Sequence, residues 1–428
     1  MRRYESYKDS GVEWLGEVPS HWESFPLFVQ AKISSITNHI DKELLSVYLD
    51  RGVVKFSDVD EKRTNVTSLD LSKYQLVRKG NLVLNNQQAW RGSVGISNYE
   101  GIVSPAYLIL ELSNKFDPHY ANYLFRNGSM VSHYLIASKG VGTIQRNLYW
   151  GNLRRTPIFI PPLSEQQKIA QFLDDKTAKI DQAVDLAEKQ IALLKEHKQI
   201  LIQNAVTRGL NPDVLLKDSG VEWIGQVPEH WEVKKLKFVS KINQHTLPEN
   251  TNGSLSIKYV DIGSVSFENG IEKVENFSFK NAPSRARRLA NRGDIVVSTV
   301  RTYLKAITMV KEEHQDCIFS TGFAVITSNE CLEDNFFELY AKSDAFTEQV
   351  SVFSKGMSYP AINSTDLSNL WITVPPISEQ QKIADYLETQ VSKINQAITL
   401  KTAHIEKLKE YKSVLINDAV TGKVRVSV

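Results

Sequence analysis

Cysteine is almost absent. Cys317 and Cys331 are the only two in 428 residues, and they form no C-x-x-C pair. Free thiols in a reducing compartment are therefore expected, with no disulfide. No run of about 18 apolar residues is present that could span a bilayer, and no basic-plus-apolar leader opens the sequence. A cytoplasmic protein with no membrane partner is the expectation. The G-x-x-x-x-G-K-[ST] phosphate loop is missing, which argues against P-loop binding of ATP. The nine histidines form no H-x-H, H-E-x-x-H or Cys/His cluster, so no metal site is expected. Glu-x-Lys occurs at Glu196 with Lys198 and at Glu410 with Lys412, but inside predicted helices and without a nearby Pro-Asp partner, which argues against a nuclease role. The two Pro-Pro pairs precede Leu163 and Ile377 rather than an aromatic after Asn-Pro-Pro, so they do not form an amino-methyltransferase motif. No catalytic residue and no bound cofactor is expected in this chain.

Excess charge is lacking too. Lys and Arg number 51 against 49 Asp and Glu, a net of +2, so any affinity for nucleic acid must come from local clusters. With 42% hydrophobic and 23% charged residues the composition is that of an ordinary globular protein, and the length calls for two or three cores.

What the sequence does contain is itself, twice. DSGVEWLGEVPSHW, from Asp9 to Trp22, returns as DSGVEWIGQVPEHW from Asp218 to Trp231, 209 residues later. PPLSEQQKIAQFL from Pro161 returns as PPISEQQKIADYL from Pro375, at an offset of 214, and the likeness runs on to AVT at Ala205 and Ala419. The stretches between, 23–160 and 232–374, vary inside this repeated frame. Fainter landmarks recur within them: Gly80 before LVLNN against Gly293 before IVVST, SPAYLIL at Ser104 against STGFAVI at Ser320, and Ser-Lys-Gly at Ser138 and Ser354.

Ser164 with Gln167, and Ser378 with Gln381, match capping boxes behind strand-stopping prolines. Beyond them a heptad seam runs Leu173, Thr177, Ile180, Val184, Ala187, Ile191, Leu194, Lys198, Leu201, Ala205. Its copy runs Leu387, Val391, Ile394, Ile398, Lys401, Ile405, Leu408, Lys412, Leu415, Ala419, with Lys412 at the place of Lys198. A helix of about 44 residues is about 66 Å long and needs a partner. The natural one is its own repeat, paired antiparallel; the alternatives are packing on the helix's own insert or pairing between two chains. Apolar runs at Leu82 to Leu84, Tyr107 to Leu110, Ile295 to Val297 and Ala324 to Ile326 read as strands, and Asn122 to Leu135 and Phe336 to Val350 as helical. The fold class expected is α+β: two mixed α/β domains in pseudo-two-fold arrangement, separated by a pair of long antiparallel coiled-coil helices. The division is 1–160 for the first domain, 161–210 for the first long helix, 211–374 for the second domain (with a linker at 211–217), and 375–428 for the second long helix and tail.

The polar segments of the inserts fit a reader of DNA. The Gly80 strand is followed by Asn85, Asn86, Gln87, Gln88, Trp90 and Arg91; the Gly293 strand by Ser298, Thr299, Arg301, Thr302, Tyr303 and Lys305. Amide and guanidinium groups pair bidentately with adenine and guanine edges, while Ser, Thr, Lys and Tyr more often hold phosphates. A second polar segment in each insert comprises Lys139, Thr143, Gln145, Arg146 and Asn147, and Lys355, Ser358, Tyr359 and Asn363. Gly next to Lys in each permits close approach to a phosphate. A third cluster is Arg285, Arg287 and Arg288, with Arg292 beyond. A plain solvated surface is the competing reading of each residue taken singly. His21 and His230, beside Trp22 and Trp231, read as packing residues.

PPLSEQQKIA and PPISEQQKIA, with the two DSGVEW anchors and a long helix after each insert, resemble the specificity subunit of type I restriction-modification enzymes over essentially the whole chain. The resemblance implies two target-recognition domains, each reading one half of a bipartite sequence in double-stranded DNA, with the helices setting the unread spacer. It implies two methyltransferase (modification) subunits as partners, and restriction/translocase subunits as further ones. S-adenosylmethionine, ATP and Mg²⁺ would belong to those partners. The alternative is a protein assembly scaffold that does not bind DNA.

Overall fold

The computed structural model describes residues 2–12, 15–59, 70–141 and 145–426. The chain forms two compact units, Met1–Glu188 with Ala403–Val428, and Lys189–Thr402. Each long helix, Leu163–Arg208 and Ile377–Val420, therefore contributes one stretch to each unit. The division drawn from the sequence placed its boundaries at the helix ends, whereas these units divide the helices.

Each unit is built on a four-stranded antiparallel sheet of the same order. In the first unit the order is Ala31–Ser34, Tyr107–Leu112, Leu82–Asn85, Val94–Ile96; in the second it is Ser240–Ile242, Phe323–Ser328, Ile295–Ser298, Ile307–Met309. The short apolar runs become central strands because both of their faces are covered. Leu82 and Leu84 point into one core with Phe125 and Leu173, while Val83 points into a second with Val77, Val103 and Ile109. Ile295 and Val297 likewise join a core with Phe336 and Leu387, and Val296 joins Phe319 and Phe323 on the other side. Side chains alternate across a strand, so a continuous apolar run serves two cores at once.

The helices Pro118–Arg126 and Gly128–Ile136 cover one face in the first unit; Asp334–Ala341 and Asp344–Phe353 do so in the second. The sequence reading had one continuous helical stretch in each place. The break in the first comes at Asn127, whose extended backbone ends one helix and whose side chain caps the next by accepting from the Met130 N–H. On the other face the units differ. The first unit carries a hairpin, Leu45–Tyr48 with Gly52–Lys55, and the pair Gln75–Val77 with Gly101–Val103. The second carries a four-stranded mixed sheet that contains one parallel pair, Ser256–Val260 beside Cys317–Ser320.

The repeated block explains itself at the start of each long helix. Gln166 is fully buried; its Nε2 donates to the carbonyls of Lys115 and Pro161 (2.8 and 2.9 Å), and its Oε1 accepts from the Asp117 N–H at 2.8 Å. Gln380 repeats this with Cys331, Pro375 and Glu333 at 2.9, 2.8 and 2.8 Å. Glu165 takes the Trp22 indole N–H at 3.3 Å and faces His21 Nε2 at 2.8 Å, and Tyr4 donates to it at 2.6 Å. Glu379 does the same with Trp231 and His230 at 2.9 and 2.7 Å. The two histidines thus bridge to the helix start rather than only pack. The capping-box expectation is corrected: the helices begin at Leu163 and Ile377, so Ser164 and Ser378 lie inside the first turn, and the Pro162 and Pro376 carbonyls accept the first N–H bonds.

Every expected seam position is buried or half-buried. In the first unit Lys412 donates to both carboxylate oxygens of Asp181 at 2.7 and 2.6 Å. In the second, Lys198 Nζ donates to Asn395 Oδ1 at 3.2 Å and Lys401 to Gln190 at 2.7 Å, which fixes the two stretches as antiparallel there. The offset of 214 maps Asp181 onto Asn395 and Lys198 onto Lys412, so the same pair is ionic in one unit and half-neutral in the other. Burial pulls the Lys198 ammonium below its ordinary pKa.

Replacing Gln166 or Gln380 by Ala leaves three backbone groups unmatched and is expected to destabilise the chain by about 2–4 kcal/mol. The exposed Gln167→Ala serves as control, within about 0.5 kcal/mol of the parent; urea denaturation measures both. Asn395→Asp should give Lys198 the carboxylate that Lys412 already has and stabilise by up to about 1 kcal/mol. A loss of stability in the same titration would contradict the pairing.

Candidate nucleic-acid interface

In the first unit the strand Leu82–Asn85 ends in a tight turn. Asn85 Oδ1 accepts from the Gln87 N–H at 3.1 Å, and the turn enters a short 3-10 helix, Ala89–Arg91, which Gly92 closes in the left-handed region at φ 103°. The second polar segment is a hairpin, Ser138–Val141 with Gln145–Leu148, in which Lys139 stands opposite Asn147 and Gly140 opposite Arg146. The two segments meet, because the Leu148 N–H donates to the Asn86 carbonyl at 2.9 Å. Their side chains meet as well. The guanidinium groups of Arg91 and Arg146 lie 5.7 and 5.8 Å from the Trp90 ring centre, and Lys139 lies 5.5 Å from that of Tyr149. Gln87 is exposed and Gln88 half-buried. Asn86 Oδ1 is buried with no hydrogen-bond partner. Thr143 lies outside the described residues, and of Gln145 only the backbone is described.

The second unit assembles the equivalent site by other contacts. The Ile362 N–H donates to the Thr299 carbonyl at 2.9 Å and Thr302 N–H to the Pro360 carbonyl at 3.3 Å, joining the two polar segments. Arg301 sits at φ 53° in the left-handed region, with its guanidinium 5.1 Å from the Tyr359 ring centre. A non-glycine residue there is uncommon. Tyr303, Lys355, Ser358 and Tyr359 are exposed. Lys305, also left-handed at φ 46°, reaches Thr347 Oγ1 at 3.1 Å. Asn363 caps the helix Ser364–Ser368 by accepting from the Asp366 N–H at 2.8 Å.

Some expected residues are placed away from this surface. Ser298 is 2% exposed at the end of its strand, and Thr299 gives its hydroxyl to the Gly322 carbonyl at 2.9 Å. Of the arginine cluster, Arg285 is exposed, and its carbonyl accepts from Thr321, beside the Gly322 that holds Thr299. Arg287 and Arg288 belong to the strand Ala286–Leu289. Arg287 stacks 4.7 Å over Phe279, and Arg288 donates to Thr246 at 3.3 Å while burial pulls its pKa down. Arg292 lies 3.6 Å from Glu312. Two side chains not singled out from the sequence do stand at the site: Tyr149 (45% exposed) and Met357, which is wholly exposed at 102%. For Tyr149 the signal was its position two residues after the polar run.

Among the described residues no His, Cys, Asp and Glu groups are placed to hold a metal ion, and no helix is long and apolar enough to cross a membrane. Both cysteines are free, Cys317 buried and Cys331 exposed.

Two polar, aromatic-backed surfaces on a repeated scaffold call for comparison with known proteins. A family model described as the type I restriction modification DNA specificity domain matches residues 32–195 and 228–409. The chain belongs to this family. Each match spans one insert and most of the long helix that follows, the same unit that the internal repeat marks out. The putative type I restriction enzyme MjaX specificity subunit of Methanocaldococcus jannaschii is similar at 26% identity over 434 residues, covering 96% of each chain. The MjaVIII specificity subunit of the same organism is 25% identical over 428 residues, covering 96% of this chain and 94% of its own. Among solved structures, the HsdS subunit from Thermoanaerobacter tengcongensis shares the fold at a TM-score of 0.58 and 18% identity, covering 97% of this chain and 100% of that one. A chain from a study of complex assembly and conformational transition of the type I R-M system reaches a TM-score of 0.71 at 18% identity, over 95% and 99% of the two chains.

Gly356 has φ 108°, and a Cβ added there would stand 3.1 Å from the Tyr359 carbonyl oxygen. Gly356→Ala is therefore expected to strain the Lys355–Ala361 loop by on the order of 1 kcal/mol. Amide exchange at Lys355 and Ala361, whose N–H groups close that loop, should accelerate while the central strands keep their protection. Unchanged exchange would mean that the loop is not held by this turn.

Proposed function

We propose that this type I specificity protein reads a bipartite sequence in double-stranded DNA, each unit recognising one half. The observation that carries this reading is the meeting, in each unit, of two separate polar segments that set a guanidinium against an aromatic ring: Arg91 and Arg146 on Trp90, and Arg301 on Tyr359. An arginine fork held by stacking loses less freedom when it pairs with a guanine edge. The exposed lysines Lys139 and Lys355 suit phosphates, which position the protein without carrying sequence. The heptad-paired helices, shared between the units, set the unread spacer and dock two methyltransferase subunits, which restriction/translocase subunits join.

The chain itself is non-catalytic and holds no cofactor. S-adenosylmethionine, ATP and Mg²⁺ belong to the partner subunits. The complex works in the cytoplasm, where its DNA is. Net charge near zero fits a reader whose hold on DNA comes from local clusters and is completed by its partners.

Binding of the assembled complex to a library of duplexes across a range of salt tests the reading. Changing Gln88 or Arg301 to Ala should relax one base position by about 1–3 kcal/mol, while changing Lys139 or Lys355 should weaken binding to all sequences alike and lower the salt slope by about 1. Each reading substitution should touch one half-site alone. Equal effects on both half-sites would contradict the modular assignment, and absence of salt-dependent DNA binding by the assembled complex would favour the assembly-scaffold role.

A further inference from the structure

The loop between Lys355 and Ala361 carries an apolar side chain for which the fold has no use. Met357 is 102% exposed, Tyr359 in the same loop is 64% exposed, and Tyr303 on the neighbouring polar segment is 60% exposed. A single exposed apolar residue is ordinary, but this one stands on a fixed base. The Lys355 N–H donates to the Ala361 carbonyl at 2.8 Å and the Ala361 N–H returns the bond at 2.9 Å. Gly356 makes the turn at φ 108°. The Pro360 carbonyl accepts from Thr302 at 3.3 Å, tying the loop to the neighbouring polar segment. The surroundings are cationic and aromatic. Arg301 stacks on Tyr359, and Lys355 is 84% exposed and 3.9 Å from Asp366.

An apolar tip flanked in its loop by Lys355 and by Tyr359 with its stacked Arg301 is complementary to a stack of bases inside a phosphate backbone rather than to an apolar protein groove. Methionine is long, unbranched and polarisable, and belongs to the side chains that enter between base steps as wedges. We propose that Met357 inserts between two adjacent base pairs of the half-site read by the second unit and opens that stacking step. Tyr359 and Arg301 flank the opened step, and Lys355 faces the backbone beside it. Recognition at this step then depends also on how easily the DNA unstacks, so a flexible pyrimidine–purine step is favoured over a stiff one. The inference rests on the DNA-reading role proposed above. It concerns the second unit alone, since residues 142–144 of the first lie outside the described residues.

The test places 2-aminopurine at successive positions of the target duplex and follows its fluorescence as the assembled complex binds. One step in the second half-site should brighten several-fold with the parent and with Met357→Leu, and stay at the free-duplex level with Met357→Ala. The Ala variant should also lose a preference of roughly tenfold for a pyrimidine–purine step there. With its side chain wholly exposed, neither substitution disturbs packing. A complex that binds the target tightly while no step brightens, or an Ala variant that brightens the same step, overturns the wedge and leaves the reading role standing. A complex that does not select the target at all overturns both.

Discussion

One buried carboxamide at the start of each long helix carries the architecture. Gln166 and Gln380 are fully buried, and each satisfies three backbone groups from two other segments: the end of the last strand and the loop entering the first covering helix. A buried amide with all three groups matched is stable only in one geometry, since losing any partner leaves a polar atom stranded. The neighbouring Glu165 and Glu379 reach the other way, to the His–Trp pair of the anchor. Two adjacent side chains thereby weld helix, insert and anchor together, which is why SEQQ and SHW or EHW occur twice while the residues between them diverge.

That weld leaves the recognition surface free to vary. The central strands are held by alternating side chains in two cores, with Leu82, Val83 and Leu84 and their counterparts Ile295, Val296 and Val297 all at 0% exposure. The segments that follow these strands contribute little to either core. One unit solves the same problem with Trp90 and a hairpin, the other with Tyr359 and two left-handed residues, Arg301 and Lys305. The second β layer also differs, two small strand pairs in one unit and a mixed sheet in the other. Such variation leaves the helix pairing untouched.

The sequence made the frame legible because frame residues answer to local rules and repeat. The heptad seams and the buried strands after Gly80 and Gly293 stand where expected, and a long helix follows each pair of prolines. Other features depend on distant partners and were not legible. Ser164 matched a capping pattern, but the Pro162 carbonyl opens the helix two residues earlier. The stretch Asn122 to Leu135 read as one helix until Asn127 broke it with its own cap. At the site, Arg287 and Arg288 looked like a basic patch; on the strand Ala286–Leu289 their side chains turn to Phe279 and Thr246 instead. Ser298 looked like the first residue of a loop and is instead the last of a buried strand. Met357 gave no signal because exposure at a loop tip is set by the turn beneath it.

The measurement that tests the central claim most directly is the sequencing of methylated adenines in cells that carry a cognate methyltransferase subunit with this chain, without it, and with residues 232–374 replaced by the insert of a relative. The account predicts a bipartite motif with a fixed spacer that depends on this chain, and a replacement that changes one half of the motif while the other half and the spacer stay. An unchanged methylome with the complex intact, or a replacement that alters both halves together, would contradict it.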